Sequence, residues 1–456
     1  MSATSSAAEK LLAPPAMKAT GAAARRWLRR DGFAILDQAL FYGANFTMNI
    51  LLARWLHATA YGAYAVALSV FFLTASLHTA VLTEPMMVYG ARKYARQFPQ
   101  YVGLLLKFHW ALAALAAGAL ALGAVIVGHA HAPEMALALW GIAAASAFVL
   151  LAWFVRPACY VRGQAQWAAL GSAVYALTIV SLLYLLQRHH ILSVLTAFLA
   201  TGLAAMLGSI VTIAFLKPQW STTGADVVSP RGVLRDHWQY GSWNAIATVA
   251  QWSSSQILLV MTPLFLGLKA AAAISVVANL MRPLFPMIRS ITPLMLPYVS
   301  AHFDQPEKAH ELRRYLTGWF CACVGGSLVY GLGVTVFYEQ IARHFFANKY
   351  HGYAELVLLF GLAYAASAAV QVMSVVIRAA GETRVIAIIW AVPGLMTVFL
   401  SVPVLLAGSL NGVAGVFALS YFIALAIALW KGLEALNSGP AAGGDRSAGP
   451  PLEQSS

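Results

Sequence analysis

Long apolar runs dominate the chain, and short polar segments separate them. A transmembrane helix needs about 20 apolar residues, and about twelve runs approach that length. Apolar and polar residues do not alternate within the runs as they do in the strands of a membrane barrel. The pattern therefore predicts an all-α integral membrane protein. We expect spans near residues 33–54, 61–82, 101–127, 136–154, 167–186, 191–215, 240–262, 270–299, 316–338, 354–376, 385–406 and 413–433.

The expected spans divide into two lobes of six helices. Residues 216–239 form the longest polar connection, which we interpret as a cytoplasmic linker between an N-lobe over 33–215 and a C-lobe over 240–433. Residues 1–32 and 434–456 are rich in small and polar residues that have nothing to bury. We expect both of these segments to be disordered and cytoplasmic.

A weak internal repeat supports two equivalent lobes. Shifting LLARWLHATAYGAYAVALSV, which begins at Leu51, by about 209 residues places it on VMTPLFLGLKAAAAISVVAN. Since each half holds six spans, the repeats would share one orientation around a central cavity and be related by an axis along the membrane normal. The same shift aligns Thr83 with Thr292, Met86 with Met295 and Tyr89 with Tyr298.

Composition agrees with a bilayer as the solvent. Hydrophobic residues make up 60% of the chain and charged residues 10%, whereas a soluble domain carries about 25% charged residues. The net charge of +13 comes from basic residues scattered between the apolar runs, so it does not indicate nucleic-acid binding. Only three cysteines occur, in or beside apolar segments, which argues against a disulfide framework or a metal cluster.

The distribution of Lys and Arg predicts the orientation, because cytoplasmic loops are enriched in both. With the N-terminus inside, Lys107, Arg282 and Arg289 lie within spans, and the inside segments hold most of the other basic residues, Arg156 and Arg162 among them. We therefore expect both termini to be cytoplasmic. The outside segments hold only Arg54, Arg188, Lys269, Arg343 and Lys349.

Two helices carry matching polar stripes. The spacing i, i+4, i+7, i+11 places four polar side chains on one face of a helix, and it occurs in the first helix of each half. Such groups either hold helices together by hydrogen bonds or line a hydrated cavity, and the repetition favours the cavity. The stripes are Gln38, Tyr42, Asn45 and Asn49, and Asn244, Thr248, Gln251 and Ser255.

The eighth expected helix carries the most informative charges. Arg282 and Arg289 share a face with Asn279. An arginine at mid-membrane costs roughly 2.5–3.5 kcal/mol on insertion scales, so a face with two of them should line a cavity. Guanidinium groups match the geometry of phosphate oxygens, which predicts an anionic cargo. The prolines at 283, 286, 293 and 297 permit kinks.

Three further ionisable residues have two interpretations each. Lys107 in the third helix either extends the cationic cavity or reaches the cytoplasmic interface. Asp37 in the first helix is either an ion-coupling site or an ion-pair partner. Glu84, at the end of the second helix, has the same alternatives, and for it we favour an ion pair with Arg92 or Lys93, or a position at the headgroups.

Enzyme motifs do not occur. The sequence contains no phosphate-binding loop, no His-Glu-x-x-His and no Gly-x-Ser-x-Gly, and the connections are too short for a catalytic domain. We therefore expect no enzymatic activity, no cofactor and no metal site. Solvated loops are the simpler interpretation of His129, His131, His189 and His190.

One stretch resembles the bacterial polysaccharide flippases, which belong to a superfamily with multidrug exporters. The shared pattern, Leu-x-Ala-Arg-x-Leu-Gly followed by Tyr-Gly, is matched by Ala53, Arg54, Leu56, Tyr61 and Gly62. At 57 a histidine replaces the glycine that is common in that family.

The resemblance implies a flippase in the bacterial inner membrane. Its cargo would be a polyprenyl-pyrophosphate-linked oligosaccharide for O-antigen or exopolysaccharide synthesis, moved by alternating access through the cationic cavity. The implied partners are this lipid-linked substrate, membrane lipids and polysaccharide polymerase or export machinery, with no nucleic acid. Two alternatives stay open: a cation-coupled multidrug or metabolite antiporter of the same fold, which Asp37 would favour, and a non-transporting scaffold.

Overall fold

The computed structural model describes residues 32–130, 132–220, 228–303 and 305–438, and every regular element in these ranges is helical. Their order follows the hydrophobic pattern. The elements are α1 (Phe33–Trp55), α2 (Ala58–His78), a π-helix (Thr79–Thr83), α3 (Glu84–Gly90), α4 (Phe98–His129), α5 (Pro133–Val161), α6 (Ala165–Arg188), α7 (Val194–Leu216), α8 (Pro230–Met281), α9 (Leu284–His302), a 3₁₀ turn (Pro306–Lys308), α10 (Ala309–Val336), α11 (Tyr338–Phe345), α12 (Ala354–Ala379), α13 (Thr383–Leu406) and α14 (Leu410–Ser438).

The predicted all-α membrane fold is confirmed. Ten helices of the described ranges are long and apolar enough to cross a membrane. Neither α1 nor α9 is among them. The polar stripe lowers the hydropathy of α1, and an arginine, three prolines and a terminal histidine lower that of α9.

Several helices extend beyond their apolar stretches, because backbone hydrogen bonding continues where hydropathy falls. The helix α8 begins at Pro230, within the segment predicted as a linker, and α14 continues to Ser438, within the tail predicted to be disordered. Helix α5 runs to Val161, so Arg156, which the sequence places in an inside loop, lies within a helix. The remaining parts of the predicted disordered ends, 1–31 and 439–456, lie outside the described residues.

A glycine divides α8 into two helices. Gly267 has φ 77° and ψ 172°, a conformation that residues with a Cβ rarely adopt. The seventh expected span therefore corresponds to 230–266, and the eighth to 268–281 together with α9. A second interruption follows at residues 282–283, so the expected kink in the proline-rich eighth helix is present.

The first compact unit contains the residues up to Asn279 together with Gln340–His351. Within it α5 packs against α2, α4 and α7, while α6 packs against α1 and α7. Buried residues make up 67% of the apolar window of α5, which places this helix at the centre of the unit.

The second compact unit contains Leu280–Glu339 and the residues from Gly352 onward. Here α12 is central, again with 67% of its apolar window buried, and it packs against α9, α10 and α14. In both halves the fourth expected helix packs against the third and the sixth, and the fifth packs against the sixth. This repetition agrees with an internal duplication, while the lobe boundaries stay a prediction.

Candidate functional site

A buried acid in α1 is surrounded by hydrogen-bond donors. Asp37 is 0% exposed, and Arg156 of α5 donates from Nε to Oδ1 (3.0 Å) and from Nη2 to Oδ2 (2.8 Å). The hydroxyls of Tyr160 and Ser172 donate to the same carboxylate. Four donors on two oxygens fill most of the lone-pair positions of a carboxylate. Both carboxylate oxygens of Asp37 are therefore occupied by donors of the protein itself.

Arg156 is the charged residue of this cluster that the sequence pattern misses, and Tyr160 and Ser172 are missed as well. The guanidinium carbon of Arg156 lies 3.8 Å from the centroid of the Phe41 ring, and the residue is only 9% exposed. An arginine beside the inner end of an expected span is usually read as an interfacial charge. An acid near the inner end of α1 was the available signal, because a buried charge needs a partner.

A cavity of about 10 Å³ lies beside this ion pair. A single water needs roughly 10–15 Å³ of such volume, so the space is too small for a drug or a sugar in this conformation. The lining includes Phe41, Arg156, Ser172, Tyr175, Ser209 and Thr212.

The two residues at the C-terminal end of the first polar stripe, Asn45 and Asn49, form hydrogen bonds with the protein. Asn45 donates to the carbonyl of Phe41 (2.8 Å) and accepts from Tyr175 of α6 (3.1 Å). Asn49 donates to the carbonyl of Asn45 (2.8 Å). Two of these hydrogen bonds lie within α1, and the one from Tyr175 joins α1 to α6, as in the interhelical interpretation of the stripe.

The two residues at the N-terminal end of the stripe, Gln38 and Tyr42, are exposed. Tyr42 is 59% exposed, and the exposed Gln38 donates to the hydroxyl of Tyr160 (3.2 Å). The stripe is thus divided between a buried part and a part that remains available to a ligand.

Two predicted site residues from different halves of the sequence come together. The amide of Asn279 donates to Asn49 Oδ1 (3.3 Å) and to the hydroxyl of Tyr61 (2.8 Å), and it lies 3.5 Å from Ser275 Oγ. Asn279 is only 4% exposed. Asn49 and Asn279 therefore belong to one buried polar network, and their predicted role in a cavity stays a prediction.

The second stripe is described in part. Asn244 donates to the carboxylate of Glu84, so the partner of this acid is an amide and not Arg92 or Lys93. Thr248 is half-buried. The side chains of Gln251 and Ser255 lie outside the described residues.

Arg282 lies at the break between α8 and α9, immediately before Pro283. Its side chain is half-buried and interacts electrostatically with Tyr364 of α12. A proline at a helix break leaves a backbone carbonyl without its helical hydrogen bond. The side chain of Arg289, the second arginine of the expected cationic face, lies outside the described residues.

Lys107 is exposed, and its Nζ donates to the backbone carbonyl of Trp220 at 3.4 Å. This contact with the polar connection after α7 agrees with an interfacial position. Its predicted role in the cationic cavity stays a prediction.

The Leu-Ala-Arg-Leu part of the flippase-like motif forms hydrogen bonds with residues 340–351. Arg54 donates to the carbonyl of His344, and Lys349 Nζ donates to the carbonyls of Arg54 and Leu56, the latter at 2.8 Å. Burial, together with the nearby Arg54, lowers the pKa of Lys349 below its ordinary value. These residues therefore attach 340–351 to the first unit.

The Tyr-Gly pair of the same motif packs against α8. Tyr61 is 0% exposed and its hydroxyl lies 3.4 Å from Ser275 Oγ. A Cβ at Gly62 would lie 1.9 Å from the carbonyl oxygen of Leu268, so a glycine is required by close backbone approach. The motif residues thus have structural roles, and none of them contacts the Asp37 cluster directly in the described contacts.

A polar clamp joins the loop after α3 to the beginning of α8. Asp236 accepts from Lys93 Nζ and from the Tyr94 hydroxyl, each at 2.6 Å. Burial raises the pKa of Asp236, but the hydrogen bonds from Lys93 and Tyr94 outweigh burial and hold the pKa below its ordinary value. Burial and the hydrogen bond to Asp236 raise the pKa of Tyr94.

The next residue extends this clamp into the π-helix. His237 Nδ1 lies 3.0 Å from the carbonyl oxygen of Val81, and its Nε2 lies 2.6 Å from the hydroxyl of Tyr101. A neutral imidazole that donates to Val81 and accepts from Tyr101 satisfies both contacts. Burial lowers the pKa of His237, which favours this neutral form.

No protein-family model matches the sequence, and no curated protein matches it. Solved structures do match. A MATE-family multidrug resistance transporter of the MOP superfamily, in an inward-facing conformation, has a TM-score of 0.71 and 14% identity, covering 90% of this chain and 100% of that chain.

Two other solved structures match over a similar share of the chain. The lipid II flippase MurJ, in an inward closed conformation, has a TM-score of 0.69 and 12% identity, covering 89% of this chain and 90% of that chain. A MOP superfamily transporter from Pyrococcus furiosus has a TM-score of 0.61 and 14% identity, covering 91% and 96%. The chain therefore has the two-lobed helical fold of the MOP superfamily transporters and flippases.

Proposed function

We propose that the protein is a flippase that moves a polyprenyl-pyrophosphate-linked oligosaccharide across the cytoplasmic membrane for O-antigen or exopolysaccharide synthesis. Alternating access through a cationic cavity would carry the headgroup while the lipid tail stays in the bilayer. The likeness of the fold to a lipid II flippase is compatible with such a cargo. The sequence motif around Arg54, Tyr61 and Gly62 adds the resemblance to polysaccharide flippases.

The observation that carries the proposal is the position of Arg282 at a helix break. A half-buried guanidinium next to freed backbone groups can approach an anion without leaving the membrane interior. A pyrophosphate bears about two or more negative charges, and placing them in hydrocarbon without compensation is prohibitive. Arginine replaces part of the lost hydration, and exposed polar groups such as Gln38 and Tyr42 would meet the sugars.

The state of Asp37 favours an anionic cargo over a cationic drug. A drug exporter that used this acid would need its carboxylate to be accessible, but Arg156 already binds both oxygens. A cationic drug would have to displace a buried arginine, which leaves that charge unpaired at a cost of about 3–5 kcal/mol. The antiporter is therefore the second candidate.

Complementation of a strain that lacks its polysaccharide flippase tests the proposal. Wild type should restore surface polysaccharide, whereas Arg282→Ala and Arg289→Ala should reduce it by tenfold or more at matched membrane expression, since a charged hydrogen bond is worth about 1.5–3 kcal/mol. Arg282→Lys and Arg289→Lys should restore less than wild type, because lysine lacks the bidentate fork. Arg188→Ala, at the exposed last residue of α6, serves as the matched control.

Other outcomes would support the alternatives. If Asp37→Asn abolished drug efflux while Arg282→Ala left it unchanged, the antiporter would replace the flippase. If all cavity variants complemented fully and only loop variants impaired binding to the polymerase or export machinery, the scaffold would be correct. A protein that complements no glycan background at normal expression contradicts the flippase proposal.

A further inference from the structure

Two buried histidines contact one another inside the first unit. His78, the last residue of α2, has its Nε2 3.0 Å from Nδ1 of His109 in α4. Their exposed fractions are 4% and 0%, and their rings are perpendicular with centroids 5.2 Å apart. The ring of His109 also stacks on Phe154 of α5. The pair therefore lies within packed side chains of three helices.

The environment of the pair is almost entirely apolar. Its two outer nitrogens, His78 Nδ1 and His109 Nε2, are buried, and neither meets the geometry of a hydrogen bond within the described ranges, although the backbone of Ala147 approaches His109. On α5, the backbone of Ala147 and the ring of Phe154 face His109, and on α4 Trp110 adjoins it. No charged side chain of the described residues interacts with either imidazole. No ion pair is thus available to explain why two histidines are buried here.

Counting protons shows what the pair can bind. Two neutral imidazoles carry two N–H groups and two lone pairs. The shared hydrogen bond uses one of each, which leaves one outer N–H and one outer lone pair. A single proton taken from water forms an N–H bond at that lone pair and gives a cation shared across the hydrogen bond. No other reactant is needed.

The pair is directly connected to an irregular turn. The π-helix Thr79–Thr83 follows His78 immediately, and isolated π turns occur frequently at functional sites. The carbonyl of Val81, within this turn, is bound by His237, and Glu84, just after it, is bound by Asn244. A change at His78 therefore acts on a segment whose other end is attached to α8.

We propose that the His78–His109 pair is a proton-binding site that couples protonation to a rearrangement of the π-helix and its contacts with α8. A proton shifts a conformational equilibrium only if it binds two states unequally. In this packed state a cation has no acid partner, which is costly, so protonation favours a state in which water reaches the pair. The role in transport rests on the proposed flippase function, whereas proton binding does not.

Nitrogen-15 spectra of histidine-labelled full-length protein in lipid bilayers test proton binding directly. The nitrogen-15 chemical shifts of neutral imidazole and of imidazolium differ. The signals of His78 and His109 are assigned as those that are lost in His78→Gln and in His109→Gln, respectively. Between about pH 8 and about pH 4, a range that extends below that of an ordinary histidine, we expect both residues to change together in a single step. His189→Gln, which alters an exposed loop histidine, should leave that step intact.

Three results would overturn the proposal: two independent titrations, a pair that stays neutral until the protein unfolds, or a pair step that persists in both glutamine variants. Glutamine retains hydrogen bonding without titrating, and elution as a monodisperse peak shows that each variant is folded. A variant that does not fold is replaced by His78→Asn or His109→Asn, judged by the same criteria.

A transport assay in proteoliposomes separates this inference from the proposed function. With a lipid-linked oligosaccharide as the probe, a gradient of about one pH unit should change the wild-type rate by up to about tenfold, since it is a tenfold difference in proton activity. His78→Gln should keep the rate without a gradient and lose the response. If wild type translocates no lipid yet the spectra show the joint titration, the flippase proposal fails and the proton site stands. A full gradient response in His78→Gln rejects the coupling.

Discussion

At the scale of single residues, the Asp37–Arg156 pair is a buried ion pair that joins α1 to α5 in the first unit. A buried ion pair contributes little net stability compared with an apolar pair, but removing one partner leaves a charge that nothing compensates. Asp37→Asn or Arg156→Gln should therefore lower stability by about 3–5 kcal/mol. The double change Asp37→Leu with Arg156→Met should recover much of that loss. Thermal unfolding of the purified protein, followed by size-exclusion chromatography, measures both effects.

An exposed ion pair provides the matched control for that prediction. Lys431 and Glu434 lie one helical turn apart, and the Glu434 side chain is half exposed. Solvent weakens such pairs, so Glu434→Gln should leave the unfolding temperature unchanged. If Asp37→Asn behaves in the same way as Glu434→Gln, the buried pair does not hold these helices together.

Gly62 is a second residue whose identity is set by close packing. In Gly62→Ala the new methyl group would overlap the Leu268 carbonyl, which is backbone and cannot rotate away. We expect a clear loss of thermal stability and of folded yield. Gly43→Ala, on an exposed face of α1 with no atom within 4 Å of its Cβ, should be neutral or stabilise by up to about 1 kcal/mol through helix propensity. Equal stabilities for the two variants would contradict the close approach of α2 and α8.

At the scale of elements, the beginning of α8 holds the loop 91–97 and the π-helix through Asp236 and His237. Both groups have pKa values below their ordinary ones. As pH falls through the ordinary histidine pKa of about 6.5, an opened form takes up a proton that the closed form excludes, so the clamp weakens. The contribution of Asp236 is present above its ordinary pKa and is lost only at lower pH, as the pH falls through its folded value.

Hydrogen exchange measures this clamp. Lowering the pH from about 7.5 to about 5.5, across the histidine range, should increase exchange in peptides covering 79–97 after correction for the intrinsic rate. Asp236→Asn should increase exchange at every pH, because it weakens the hydrogen bonds to Lys93 and Tyr94. Peptides of α12 provide the internal control. Uniform exchange changes across the whole chain would indicate global destabilisation and contradict a local clamp.

At the scale of the whole molecule, the helices could be predicted and their contacts could not. Hydropathy is a local property, so the positions of the spans follow from it directly. The contact between Asp37 and Arg156 joins residues 119 positions apart, and it depends on helix rotation and register, which hydropathy does not record. The π-helix after His78 also leaves no mark in the hydrophobic pattern. The buried Asn49–Asn279 contact is an intermediate case, since the stripe revealed the faces but not the partners.

The orientation of the chain is the last property that the sequence predicts and that an experiment can decide. Few Lys and Arg fall in the segments expected outside, and most lie in those expected inside, so the charge bias predicts that both termini are cytoplasmic. We expect a cysteine at His189, in the exposed turn between α6 and α7, to react with an impermeant maleimide in intact cells.

A cysteine at Glu307, in the exposed 3₁₀ turn before α10, should react only after the membrane is opened. Cys159, Cys321 and Cys323 are replaced by serine or alanine first, because Cys321 is exposed and would add background. The reverse pattern would place the termini outside and reverse the direction assigned to the cargo. The expected spans near 191–215, 240–262 and 270–299 separate the two positions, so they should lie on opposite sides of the membrane. Labelling of both positions in intact cells would require an even number of spans between them and would contradict twelve spans in two equivalent lobes.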